Sequence, residues 1–293
     1  MVGEPPASER TALVLGGGGS LGALQVGFIE RILALDIPVD FVVGTSVGAL
    51  NAAYVAFHDA PDHDCLHDIW MERAGSRLFH RSLFRIARQL WRSRLSLYDA
   101  SPVVTVLRKH LAEDSFGAAR VPLHVTATNL CDGRRYIFSE GSILRALRAS
   151  TAVPGLLPPV EIDGEWFADG AISAPLDIDA ALELGATQVI AIDLRPAPAR
   201  RCPSTVVDVL TRSWEIVTEQ RTVCATEHRD HAATIVHIRP GLGSHSAWAF
   251  DAVEEHLIRS TEMARAVFDQ CWDGTRLRAG HYHLLEEAGE PVP

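Results

Sequence analysis

Short apolar runs alternate with stretches of helical periodicity along this chain. The first run, Ala12 to Leu15, precedes four consecutive glycines and a helix that places Phe28 and Ile32 on one face. The second run, Phe41 to Thr45, leads directly into a predicted helix over Val47 to Phe57. Repeated strand–turn–helix units predict an α/β fold in which helices cover both faces of a mostly parallel central sheet.

The remaining pattern predicts a single domain over residues 10–273, with residues 1–9 and 274–293 as loosely attached tails. A hairpin is expected at Glu161 to Trp166, because Asp-Gly favours the primed turn that joins two strands. Helices are expected to end at Leu184, before Gly185, and to cover Asp251 to Trp272. The other predicted strands are Leu123 to Thr128, Tyr136 to Phe138, Val189 to Leu194 and Ile235 to Ile238.

Composition narrows the class of protein. The chain has 293 residues, 47% of them hydrophobic, and a formal net charge of −10, which argues against a general nucleic-acid binder. Its five cysteines show no C-x-x-C pairing, and neither histidines nor cysteines show metal-ligand spacing, so neither a metal nor another cofactor is expected. The N-terminus lacks a signal-peptide pattern and no long apolar run follows, which favours a cytoplasmic location.

The segment Gly44-Thr45-Ser46-Val47-Gly48 fits the G-x-S-x-G motif of a nucleophile elbow. It lies between a predicted strand and a predicted helix, where the motif has its chemical meaning. Gly44 and Gly48 allow a tight turn without a Cβ clash, and the following helix N-terminus favours developing negative charge. Ser46 is therefore a candidate nucleophile, although a serine in this position is also a common helix cap.

A second turn, from Gly16 to Gly22, also follows a strand and opens a helix. Its backbone N–H groups, with Gly17, Gly18 and Gly19 as candidates, suit an anion. The anion is either the oxyanion of an acyl-transfer reaction or a pyrophosphate, because Gly17, Gly19 and Gly22 also spell the dinucleotide motif G-x-G-x-x-G. The NAD(P) alternative lacks the acidic residue expected at the end of the next strand, since that strand ends in Gly-Thr-Ser.

The serine needs a base. In a conventional Ser-Asp-His order His237, within a late predicted strand, is the best-placed histidine. However, the elbow follows only the second predicted strand here, which is early for that fold. Asp169, in the segment Asp169-Gly170-Ala171, is a second candidate for the base. An aspartate before glycine is, however, also common in an ordinary turn.

At this point the sequence resembles the patatin-like phospholipases in four ordered pieces between Ala12 and about Leu194. Gly17 to Gly22 is similar to the family's glycine-rich oxyanion motif, and Gly44 to Gly48 to its elbow. Ala149 to Pro154 looks like the segment that lies between elbow and aspartate in the family, and Asp169-Gly-Ala matches its D-G-[GA] motif. The resemblance implies a three-layer α/β/α fold and a lipid acyl hydrolase.

In the family, the active site is a Ser/Asp dyad without histidine. The resemblance therefore implies Ser46 as nucleophile, Asp169 as base and Gly17 to Gly19 as oxyanion donors. Such a base works near neutrality only if a desolvated pocket raises its pKa. One departure is Leu21, where the family usually carries Arg or Lys, and a catalytically silent lipid-binding protein stays open as an alternative.

Arg77 to Leu95 carries six arginines and no acidic residue. Helical spacing places Arg81, Arg85, Arg88 and Arg92 opposite Leu83, Ile86 and Leu90. This pattern is typical of a cap helix over the mouth of an active site, of peripheral contact with an anionic membrane, or of a surface for a protein partner.

Overall fold

The computed structural model of the chain describes residues 9–58, 63–75, 95–111, 113–194, 202–227, 233–241 and 250–284. The arginine-rich segment predicted over Arg77 to Leu95 lies outside these residues, apart from Leu95 itself. Among the helices of these ranges, none combines the length and the apolar character needed to cross a membrane.

A mixed sheet forms the centre of the fold. Within the described ranges it has the strand order β5-β6-β3-β2-β1-β7-β8-β9, with β4 paired to β3 on its other edge. All neighbours from β3 to β9 along this order run parallel, and β4, β5 and β6 add antiparallel pairs. The strands are β1 Thr11–Leu15, β2 Phe41–Thr45, β3 Leu123–Asn129, β4 Arg135–Phe138, β5 Val160–Ile162, β6 Glu165–Asp169, β7 Gln188–Ile192, β8 Thr234–Arg239 and β9 Gly280–His283.

Helices cover both faces of this sheet. Side chains alternate along β1, so that Leu13 and Leu15 enter one core cluster and Ala12 and Val14 enter the other. The larger cluster lies under α1, α2 and α8, and the smaller one under α6. The helices are α1 Leu24–Ala34, α2 Val47–Phe57, α3 His63–Gly75, α4 Ser101–His110, α5 Ile143–Ser150, α6 Ile178–Glu183, α7 Val206–Glu227 and α8 Val253–Cys271.

The predicted α/β class with a three-layer α/β/α arrangement is confirmed. Each predicted strand is present within two residues of its expected bounds, and α2 covers the expected residues. In the hairpin, Asp163 and Gly164 have φ angles of 53° and 84°, the two positive values that a type I′ turn requires. The sequence pattern did not predict α3, α4, α5 or α7. The tail predicted from residue 274 is wrong for Gly280–His283, which pairs with β8 as β9.

Strand β3 brings two other strands together end to end. Along one edge its first half pairs with β2, where Thr45 lies opposite Thr126. The next residue, Ala127, lies opposite Asp169 at the end of the antiparallel strand β6. Because β2 runs toward this point and β6 runs toward it from the other side, the residue after Thr45 meets the end of β6. Ser46 and Asp169 therefore become neighbours although 123 residues separate them.

Candidate functional site

Ser46 occupies a strained turn between β2 and α2. Its φ and ψ angles are 55° and −124°, in a region that residues with a Cβ rarely adopt. Such a conformation costs on the order of 1–3 kcal/mol and persists only where the surrounding structure holds it. The turn ends the strand abruptly and starts α2 at Val47. Ser46 is buried but keeps 8% of its surface accessible.

The two glycines of the elbow are required by close packing, and neither has a positive φ. A Cβ at Gly48 would lie 2.1 Å from the carbonyl oxygen of Leu15, and a Cβ at Gly44 would lie 2.4 Å from the Cα of Ala49. These distances are too short for any other residue. Both glycines thus avoid the Cβ clash that the sequence motif predicts.

The hydroxyl of Ser46 donates a hydrogen bond to Asp169, with 2.7 Å between Oγ and Oδ2. The other carboxylate oxygen, Oδ1, accepts a hydrogen bond from the backbone N–H of Ala171 at 2.9 Å. Asp169 thus caps the 3-10 turn that follows it, as the ordinary interpretation expected, and also contacts the candidate nucleophile. A Cβ at Gly170 would lie 2.2 Å from the carbonyl oxygen of Thr126, which explains the glycine after the aspartate.

Burial makes Asp169 a stronger base than a carboxylate in water. The side chain has no accessible surface, and this desolvation raises the pKa of Asp169 from 3.8 to about 7. The hydrogen bonds from Ser46 and Ala171 favour the ionised form and oppose part of this rise. At neutral pH the group can therefore both accept and release a proton.

A second serine, Ser150, supports the elbow from the neighbouring helix α5. The hydroxyl of Ser150 accepts a hydrogen bond from the backbone N–H of Ser46 at 2.8 Å. It donates its own proton to the carbonyl oxygen of Thr126 at 2.6 Å. Two residues further on, the carbonyl oxygen of Ala152 accepts the N–H of Asp169 at 2.9 Å. The segment Ala149 to Pro154 thus contacts the backbone of both candidate residues.

The glycine-rich turn lies against Ser46. A Cβ at Gly17 would lie 3.2 Å from the Cβ of Ser46. However, the backbone N–H of Gly17 donates to the carbonyl oxygen of Pro175 at 2.9 Å, so it is already used within the fold. Among the described residues, no acceptor pairs with the N–H groups of Gly18 and Gly19. Of the three N–H groups predicted as oxyanion donors, those of Gly18 and Gly19 therefore remain as candidates.

Buried amide side chains fix the shape of this turn. Gln25 donates to the carbonyl oxygen of Gly16 at 3.0 Å, and Asn51 donates to that of Gly22 at 2.9 Å. Asn51 also bonds Gln25 at 2.8 Å and accepts from the indole N–H of Trp70 at 3.0 Å. Because this network joins the turn to α2, which starts at the elbow, it holds the two candidate motifs in one rigid unit.

Leu21, the position where the resemblance leads to a cation, is fully buried in the larger core cluster. An ammonium or guanidinium group in these surroundings would need a partner, whereas leucine packs without one. The departure at Leu21 thus changes the packing of the turn and leaves the N–H groups of Gly18 and Gly19 in place.

His237 does not reach the elbow. It lies on β8, three strand spacings or about 14 Å from β2. Its ring nitrogens lie 3.2 Å from Asp193 Oδ2 and 3.0 Å from His281 Nδ1. This histidine cluster, which also includes His283, was not predicted, because no metal-ligand spacing was recognised among the histidines of the sequence. The alternation His-x-His within a strand was the available signal.

Comparisons with known proteins support the resemblance. A family model described as patatin-like phospholipase matches residues 13–182. Over 186 residues, 64% of this chain and 12% of the relative, the chain is 31% identical to "Lysophospholipase nte1" of Aspergillus terreus. It is 27% identical over 193 residues to an uncharacterized NTE family protein of Mycobacterium bovis, covering 66% of this chain and 51% of that protein.

A mouse relative, "Patatin-like phospholipase domain-containing protein 7", is 28% identical over 186 residues, which are 62% of this chain and 13% of that protein. Among solved structures, VipD from Legionella pneumophila gives a TM-score of 0.47 at 17% identity, covering 90% of this chain and 67% of VipD, a likeness too weak to carry an argument. The matches thus cover about half or much less of the curated relatives' own lengths.

A mostly parallel α/β sheet with a strained serine turn at a strand end and a buried carboxylate beside it is the arrangement that the patatin-like resemblance predicts. The chain belongs to the patatin-like phospholipase family. This membership favours the acyl-transfer interpretation of the glycine-rich turn over the dinucleotide one.

Proposed function

We propose that this protein is a serine acyl hydrolase that cleaves fatty-acyl esters of lipids, with Ser46 as nucleophile and Asp169 as its base. The observation that carries the proposal is the 2.7 Å hydrogen bond from Ser46 Oγ to a buried Asp169 carboxylate. A serine hydroxyl becomes a useful nucleophile only when an adjacent base takes its proton. Family membership and relatives named lysophospholipases support a lipid ester as substrate.

In the first half of the reaction, Asp169 accepts the Ser46 proton while Oγ forms a bond to the ester carbonyl carbon. The negative charge that develops on the carbonyl oxygen receives hydrogen bonds from the N–H groups of Gly18 and Gly19, which have no described acceptor in the fold. The tetrahedral intermediate then breaks its bond to the alcohol, which leaves with the proton held by Asp169. An acyl group remains bound to Ser46.

In the second half, water gives a proton to Asp169 and attacks the acyl carbon. Collapse of the second tetrahedral intermediate releases the fatty acid and returns the proton to Ser46. Among the residues that the structure describes, the base in contact with the hydroxyl is the Asp169 carboxylate, so the proposed mechanism uses no histidine. The pKa of about 7 suits this role, since a base with a pKa near the working pH transfers protons in both directions.

We further propose that the arginine-rich segment, Arg77 to Leu95, contacts the lipid surface that holds the substrate. A basic amphipathic helix there would bring the active site to an anionic lipid surface. Replacing Arg81, Arg85 and Arg88 with Gln is expected to weaken binding to anionic vesicles and to leave hydrolysis of a water-soluble ester unchanged. Unchanged vesicle binding would contradict membrane docking.

The experiment that tests the proposal combines a fluorophosphonate probe with turnover of p-nitrophenyl esters and a lysophospholipid. We expect labelling at Ser46 in the wild type, no labelling in Ser46→Ala, and a rate about 10² to 10⁴ lower in Asp169→Asn. Matched controls are Ser139→Ala and Asp132→Asn, which change the same groups away from the site. Absence of labelling and turnover in the wild type would overturn the proposal and favour a silent lipid-binding protein.

A further inference from the structure

Three histidines converge on the β8–β9 edge of the sheet, away from the proposed active site. His237 on β8 lies opposite His281 on β9 in the parallel register, and His283 lies two residues further along the same face. Their ring nitrogens lie within 4.8 Å of one another. His237 is buried, whereas His281 and His283 are exposed on the sheet edge. The site is therefore anchored on one side and open on the other.

Asp193 determines which nitrogen of His237 is available. Its Oδ2 lies 3.2 Å from Nε2 of His237, and an ionised carboxylate only accepts hydrogen bonds, so Nε2 carries the proton. Nδ1 is then the ring nitrogen that remains for another partner, and it faces Nδ1 of His281 at 3.0 Å. A histidine whose second nitrogen donates to a carboxylate is the arrangement that orients metal-binding imidazoles in proteins.

The separations suit a small transition-metal ion. With metal–nitrogen bonds of about 2.0–2.1 Å, two nitrogens of a tetrahedral zinc site lie roughly 3.3 Å apart. The 3.0 Å pair is close to this value, and the widest separation of up to 4.8 Å closes with a shift of about 1–1.5 Å in an exposed imidazole.

We propose that His237, His281 and His283 bind a divalent transition-metal ion of the Zn²⁺ class, with Asp193 holding the His237 ring. Three imidazoles leave a fourth position for water or an external ligand. The ion would join the exposed edge strand β9 to β8 by side chains in addition to the backbone ladder. The site lies four strand spacings, about 19 Å, from β2, so the proposal stands independently of the hydrolase mechanism.

The test uses the full-length, tag-free protein, stripped of metal with a chelator and titrated with Co²⁺, whose visible absorption reports tetrahedral nitrogen coordination. We expect about one bound ion per chain, displaced by Zn²⁺. His281→Gln and His283→Gln should each weaken binding at least about tenfold, and Asp193→Asn by about 10- to 100-fold. His67→Gln, which removes a histidine on α3 across the sheet, is the matched control and should bind as the wild type does.

Zn²⁺ should also raise the unfolding temperature of the wild type and of the control, because an ion bound only by the folded chain stabilises it. His281 and His283 are exposed, so their variants should unfold at the wild-type temperature in the presence of chelator. Failure of the wild type to bind Co²⁺ would overturn the proposal. Binding with equal affinity in the two histidine variants would also overturn it, since the ion would then lie elsewhere.

Discussion

The hydroxyl of Ser150 accepts a hydrogen bond from the backbone N–H of Ser46, with 2.8 Å between the two atoms. Since Ser46 adopts a rarely populated backbone conformation, this bond is one of the contacts that hold the turn in place. The same hydroxyl bonds Thr126 on β3, so it ties the elbow to the strand that also pairs with Asp169.

Replacing Ser150 with Ala should therefore affect both stability and turnover. The Ser46 N–H would lose its acceptor in a buried place, which typically costs about 1–3 kcal/mol in the free energy of unfolding. A less firmly held elbow should also lower kcat more than it changes KM. Urea unfolding and ester kinetics check this, with the exposed change Ser139→Ala as control, expected within about 0.5 kcal/mol of wild type. Equal unfolding free energies for Ser150→Ala and wild type would contradict the assigned role.

The activity should depend on pH through Asp169. Because the base must be ionised to accept the Ser46 proton, kcat/KM should rise with pH through an apparent pKa of about 7 and level off above it. Initial rates on a non-ionising ester between pH 5 and 9 measure this limb. A flat profile over that range would mean that the carboxylate keeps its ordinary pKa and would contradict the effect of burial.

The raised pKa of Asp169 also predicts that the wild type and Asp169→Asn differ in stability by an amount that depends on pH. A carboxyl group whose pKa is about 7 when folded and 3.8 when unfolded stabilises the folded chain fully below pH 4, and this contribution is lost as pH rises through 7. At 1.36 kcal/mol per unit, the loss amounts to at most about 4 kcal/mol. Asp169→Asn removes the titration, so its free energy of unfolding should exceed that of the wild type at pH 8 and converge with it near pH 4.

Urea unfolding of both proteins at pH 4 and pH 8 measures this difference. Asp132→Asn, which removes an exposed carboxylate, should show no such pH-dependent advantage. A variant Asp169→Asn that is less stable than the wild type at pH 8 would show that the ionised carboxylate stabilises the fold.

Gly17 provides a test of how closely the glycine-rich turn lies to the nucleophile. A methyl group in Gly17→Ala would lie 3.2 Å from the Cβ of Ser46, which is close enough that one of the two groups must shift. Displacement of a reacting group by about 1 Å can cost roughly 10²-fold in rate. We expect kcat to fall up to that amount while the protein remains folded. Gly117→Ala, with its nearest contact at 3.7 Å, is the control.

A small, mostly apolar cavity lies beside α2, and we expect it to receive part of an acyl chain bound at Ser46. Leu50 lines this cavity and lies in the first turn of α2, four residues after the elbow serine. Leu50→Trp should therefore lower turnover of long-chain esters relative to short ones by roughly tenfold, the effect typical of lost methylene contacts. The exposed change Val209→Trp is the control, and an equal shift in both variants would contradict the assignment. Other lining residues are Tyr54, Leu66, Trp70 and Leu107.

The sequence predicted the parts of the fold whose signals are local. The elbow at Ser46 and the hairpin at Asp163 depend on residues that adjoin in the chain, and both were found. Pairing of Asp169 with Ser46 required resemblance to a family, because a D-G dipeptide alone predicts only a turn. The bond from Gly17 to Pro175 and the role of Ser150 depend on contacts more than 100 residues apart, which no local pattern contains.

The end-to-end arrangement of β2 and β6 along β3 has a consequence for how chain length can vary. The register of β3 fixes where Asp169 lies, and the length of the turn that joins β3 to β4 does not enter into that register. An insertion at the exposed turn around Gly133 would therefore leave the pair intact, whereas one extra residue inside β6 would send the carboxylate to the opposite face of the sheet. A longer loop is thus compatible with an unchanged Ser46–Asp169 pair, whereas one inserted residue within the short strand β6 is not.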